Sequence, residues 1–253
     1  MNAIPTPLVE QLAALKRPKP IVLGPDFFNV PETPICQRAA SFIRVWNPQW
    51  IANHSFRTYA FALAIARYAG WDSGIQAEQL GFDRELIFLA CVMHEMGIHS
   101  REALKSRLSL EIWGGIKARE WILEQRDNFV DEEGRPEQLL KDWADEVCES
   151  IARHTIEFRG FSSRCRLTLA LVALGSGQDL MGLSTSAIHQ DDLQTICDLW
   201  PRNGYCQGLS QYTKHEVALK PACLFEDCAS VFDPAMFDVE VYKNLQGNLE
   251  ESI

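Results

Sequence analysis

Residues 84–100 read RELIFLACVMHEMGIHS. The apolar run LIFLACVM suits a buried helix, and Asp83 just before it supplies an N-cap. The run then meets His94, Glu95, Gly97 and His99. An imidazole beside a carboxylate at the end of a buried segment has two readings. Either the pair binds a metal ion, or the two residues cap a helix end, where a histidine interacts favourably with the dipole. Adjacent helical side chains point about 100° apart. His94 and Glu95 therefore reach one ion only where the backbone leaves the helix, and Gly97 permits such a turn.

The surrounding text is helical as well. Apolar spacing and start or stop residues predict helices over 7–16, 34–46, 48–70, 84–96, 113–125, 136–156, 164–174, 190–199, 204–219 and 234–245. Thr33 caps the second with Pro34 at its first position, and Gly70 ends the third. No alternating β-pattern and no βαβ rhythm interrupts them. The fold class is all-α. Residues 1–32 read as an N-terminal helix and Pro-rich loop, and 33–253 as a single helical domain. At 253 residues the chain is long enough to bury a substantial core.

The formal net charge of −10 argues against a nucleic-acid surface, which needs clustered Lys and Arg. Eight cysteines form no CxxC pair, and several stand in apolar helical text, as Cys91 and Cys197 do. Buried, reduced thiols in a cytoplasmic protein are expected. No basic start followed by an apolar core marks a signal peptide, and no run is long enough for a membrane span.

Three histidines stand where strongly apolar helical text turns polar: His54 in QWIANHSFRTYAFALAIARYAGW, His94, and His154 in EVCESIARHTIEF. Asp179, in LALVALGSGQDLMGL, is a lone acid in apolar text, costly to bury unless paired, hydrogen-bonded or metal-bound. Histidines and carboxylates brought together from several helices make a divalent-metal site suited to zinc, iron or manganese. The GSG at 175–177 lacks the lysine and preceding strand of a phosphate loop and reads as a helix breaker beside Asp179. His99 lies near a pocket mouth, and His189 and His215 read as surface or capping residues.

The motifs in order resemble the HD-domain superfamily, most closely the fungal cyanamide hydratase family. The resemblance rests on Thr33-Pro34, on Asn53-His54-Ser55 with Arg57 and Tyr59, and on His94-Glu95 at the family's HD pair. It continues through Gly114-Gly115 with Ala118, Ile151 with His154, SGQD-LMG around Asp179, Pro201-Arg202 with Tyr205, and Lys220-Pro221. It implies an HD-domain helical bundle holding one divalent metal, zinc by preference, on His54, His94, Glu95 and Asp179. It also implies that water adds to a small nitrile such as cyanamide, with His154 and Glu95 as catalytic groups and Lys220 and His99 at the substrate. Self-association is a further expectation. Three departures stand near the implied site: Glu95 replaces the family Asp, GSGQ replaces apolar bulk before Asp179, and ACLFEDC follows Pro221. The departures keep two rivals open. One is a diverged isomerase, dehydratase or cyclase acting on a larger natural product, and the other is a ligand-binding homologue without catalysis.

Overall fold

The computed structural model describes residues 19–98, 100–157, 166–221 and 223–224. Among these, ten α-helices and no strand are present: α1 Pro34–Trp46, α2 Gln49–Ala69, α3 Gly74–Leu80, α4 Arg84–Met93, α5 Arg101–Lys105, α6 Leu110–Glu124, α7 Glu137–Glu157, α8 Leu167–Met181, α9 Gln190–Leu199 and α10 Tyr205–Leu219. The all-α expectation holds. The helices expected over 7–16 and 234–245 lie outside the described residues.

α2 is the axis of the bundle. It is buried on nearly every side from His54 to Ala66, which an all-round apolar helix requires. α8 lies along it, α7 packs on α8 and α6, and α4 fills the space between α2, α1, α8 and α7. The Asp83 carboxylate accepts from Glu85 N and Leu86 N, so the N-cap read from sequence is made. Gly70 closes α2 in the left-handed conformation. His189 caps α9 by accepting from Asp191 N.

Several boundaries differ from expectation, two of them beside the polar residues singled out in the sequence. The GSG at 175–177 does not break its helix. α8 runs through it to Met181 and ends on left-handed Gly182. The glycine serves packing: a Cβ on Gly175 would overlap the Thr58 carbonyl oxygen, so its absence lets α8 meet the α2 backbone. α4 stops at Met93, three residues early, and the chain continues in tight turns, with Met96 N donating to Met93 O and Ile98 N to Glu95 O. Gly97 has no left-handed φ. Its need is also space, because a Cβ there would strike the Leu110 carbonyl oxygen.

The segment before α1 packs onto the same core: Phe28 is buried in it, and Leu23 N and Gly24 N both donate to the buried Asp192 carboxylate. A smaller apolar cluster, including Ile51, Ile98, Leu110, Trp113 and Tyr205, covers one end of the bundle. The polar residues singled out in the sequence meet beneath it. Cys36 and Cys91 are free thiols, and they are buried, as are Cys197 and Cys223. No helix of the described residues is long and apolar enough to cross a membrane.

Candidate metal centre

The end of α4 creates the site. His94 occupies its C-cap, and its Nδ1–H donates to the Cys91 carbonyl at 2.6 Å, satisfying a carbonyl left over by the helix end. A carbonyl only accepts, so Nδ1 carries the proton and Nε2 keeps its lone pair. On α2, His54 Nδ1 lies 2.6 Å from Asp179 Oδ2, which sets the same tautomer. The two Nε2 atoms then face each other at 3.1 Å. Glu95 Oε1 completes the convergence, 3.2 Å from His94 Nε2 and 3.5 Å from His54 Nε2. One ligand atom from each of the three lies within 4.8 Å of the others.

Two buried lone pairs and a carboxylate oxygen pointing at one spot repel unless a cation lies among them. This donor set, two imidazoles and one carboxylate, fits a divalent metal. Where a proton takes the cation's place on Nε2, burial would push Glu95 up, but the positive charge of His94 and the hydrogen bonds both histidines then donate hold it well below the usual carboxylate range. In that protonated state burial would push His54 down, and its hydrogen bonds to Asp179 and Glu95 carry it upward instead.

Asp179, expected as a ligand, stands elsewhere. Its Oδ2 accepts from His54 Nδ1 and, at 2.8 Å, from Arg57 Nη2. Its Oδ1 accepts from Arg57 Nε at 2.8 Å and from Arg202 Nη1. Both oxygens are thus engaged by two guanidinium groups and by the far side of the His54 ring, and Asp179 is not part of the converging group. It fixes the His54 ring from the rear, an arrangement also found in carboxylate–histidine–metal triads. Burial opposes its charge, but Arg202 and Arg57 hold its carboxyl well below the ordinary range.

His154 comes to the site as expected. Its ring meets the His94 ring edge-on at 5.0 Å, and its Nδ1–H donates to Ile151 O at 2.7 Å. Burial, then the proximity of His94, lowers its pKa to about 4, so it is a neutral base at ordinary pH. Lys220 is not brought to the cluster. Its ammonium donates to Ala103 O at 2.6 Å and Leu108 O at 2.7 Å, tying the end of α10 to the loop between α5 and α6. His99 lies outside the described residues.

Four residues of the site carry more than the sequence reading assigned to them. Arg57, fully buried, and Arg202 clamp Asp179. Arg57 follows His54 by three residues, the spacing that shares a helix face, and an arginine within an apolar stretch of helix is itself a signal. Tyr205 stacks on the His54 ring at 4.7 Å. Glu111, at the start of α6, is buried on the wall of a small cavity shared with His94, Glu95, Ile98, Leu110 and His154. In sequence it looks like an ordinary acid in a first helical turn. The cavity measures about 10 Å³, roughly room for one water. Gly175, in the GSGQ stretch, faces α2.

No protein-family model matches the chain. The chain is similar to yeast cyanamide hydratases. Cyanamide hydratase DDI2 and cyanamide hydratase DDI3 of Saccharomyces cerevisiae are each 25% identical to it over 173 residues, covering 68% of this chain and 67% of the relative. That distant likeness to cyanamide hydratases supports a relation to their family.

Proposed function

We propose that this chain is a metal-dependent hydratase of the HD-domain type that adds water to a small nitrile, with cyanamide as substrate and urea as product. The reading is carried by one observation: His54 Nε2, His94 Nε2 and Glu95 Oε1 converge with both imidazoles in the ligating tautomer. The likeness to curated cyanamide hydratases supplies the reaction class. Zinc suits the donor set best, with iron or manganese as alternatives.

His54, His94 and Glu95 hold the ion, and Asp179 fixes the His54 ring from behind. When bound, such a metal lowers the pKa of water toward about 7 and polarises a nitrile nitrogen. The chain provides the proton traffic. Neutral His154, with Nδ1 engaged by Ile151 O, takes a proton on Nε2 from the attacking water and returns it to the nitrile nitrogen. So small a cavity disfavours a larger natural product. The net charge of −10 suits a neutral substrate over a nucleic acid, and the buried thiols of Cys36 and Cys91 suit a reducing cytoplasm.

The test has two parts. Metal analysis by mass spectrometry, on protein never exposed to chelator or nickel resin, should find about one divalent ion per chain. Urea release from cyanamide should accompany it. Protein that binds no metal sinks the reading.

A further inference from the structure

The cavity wall holds a carboxyl group that neither metal binding nor His154 uses. Glu111 Oε1 accepts from the Thr155 hydroxyl at 3.2 Å, and Thr155 adjoins His154 on α7. Its second oxygen, Oε2, is buried and has no hydrogen-bond partner. The residue is only 4% exposed. The Lys220 ammonium does not answer it, being held by two carbonyls and by Glu216. Buried acceptors are nearly always satisfied, so a lone one on a cavity wall marks where something else binds.

We propose that Glu111 is the substrate-recognising residue of this site, its unpartnered oxygen taking an N–H from a small nitrile that carries an amino group. The chain would then select cyanamide-type substrates over alkyl nitriles. This rests on the hydratase reading for the substrate class. The chemistry favours such a ligand. An amino-nitrile offers N–H at one end and a nitrile nitrogen at the other. The cavity likewise offers Glu111 and the His94–Glu95 pair on one wall system. Burial, with the Glu216 and Glu95 carboxylates adding to it, raises Glu111 to about 7, so it is readily neutral and can accept without presenting a full buried charge. An alkyl nitrile of similar size would leave Oε2 orphaned, and sites built to hydrogen-bond a group reject analogues that lack it.

The test uses the metal-loaded full chain, wild type and two variants, Glu111→Leu and Glu111→Gln, with cyanamide and acetonitrile as probes. Calorimetry should show wild type preferring cyanamide, and Glu111→Leu losing about tenfold in cyanamide affinity while acetonitrile binding and metal content stay level. Infrared difference spectra of wild type should show a carboxyl band that shifts with cyanamide, stays still with acetonitrile, and is missing from Glu111→Gln. That measurement decides the matter if Glu111→Leu does not fold. Cyanamide affinity in Glu111→Leu within about twofold of wild type, loss of metal in that variant, or no Glu111-dependent band shift overturns the assignment. So does wild type that binds neither probe. Urea release is read separately: binding and discrimination without urea sink the hydratase reading alone, and undiminished urea release by Glu111→Leu sinks the Glu111 assignment alone.

Discussion

His54 Nε2 faces His94 Nε2 at 3.1 Å, and each ring is held in place by an acceptor on its opposite nitrogen, Asp179 for one and the Cys91 carbonyl for the other. A decayed site would have let these rings turn to partner their own surroundings. His94 faces both His54 and Glu95, which argues against a merely structural pairing with Glu95.

His94→Ala removes one of three converging donors. Metal content, measured by mass spectrometry, should fall from about one ion per chain to near zero. The melting temperature of wild type should rise on adding metal, and that of the variant should not, since only a site that binds the native state stabilises it.

Asp179→Asn separates a ligand from an orienting residue. If Asp179 acts through His54, metal affinity should drop by about 10–100-fold without vanishing. Stability should fall by about 3–5 kcal/mol, because Arg57 and Arg202 lose the charge that compensates them in a dry interior. Chemical denaturation and metal titration of the same sample check both. Metal loss as complete as in His94→Ala would make Asp179 a direct ligand.

Glu216 predicts a pH dependence of stability. Burial lifts its pKa to about 7, against the downward pull of the Lys220 ammonium and the Leu110 N–H. The folded state therefore holds a proton that the unfolded chain, with the ordinary carboxyl value of 4.5, releases earlier. Between those two values the native state binds more protons, so this stabilisation is full below about 4.5, declines as pH rises, and is gone above about 7. The amplitude is about 3 kcal/mol. Unfolding free energies of wild type and Glu216→Gln, compared from pH 5 to 8, should diverge in that window. Parallel curves would refute it.

Gly175→Ala should destabilise by about 1–3 kcal/mol or more, because the added methyl meets the Thr58 carbonyl, which is backbone and cannot rotate away. Denaturant unfolding reads the loss. Metal affinity should fall with it, since α8 carries Asp179 one turn further on.

The helices were legible because their signals are local. Asp83 before an apolar run, Gly70 after one and Pro34 at a first turn act within a few residues of themselves, so reading neighbours suffices. The GSG of α8 misled for the same reason. Its glycines read as a local stop, while Gly175 answers the close approach of α2, more than a hundred residues away in sequence.

The sequence by itself determined an all-α chain and placed His54, His94, Glu95 and His154 at the ends of apolar faces, since a polar residue in such text must have a partner. It could not assign the partners. Tertiary structure decided that Asp179 meets Arg57, Arg202 and the rear of His54, and that Glu111 enters the cavity while Lys220 is held elsewhere. The reason is physical. A carboxylate goes to whichever donors the packing brings within about 3 Å. Those donors sit on helices and loops that no local pattern relates.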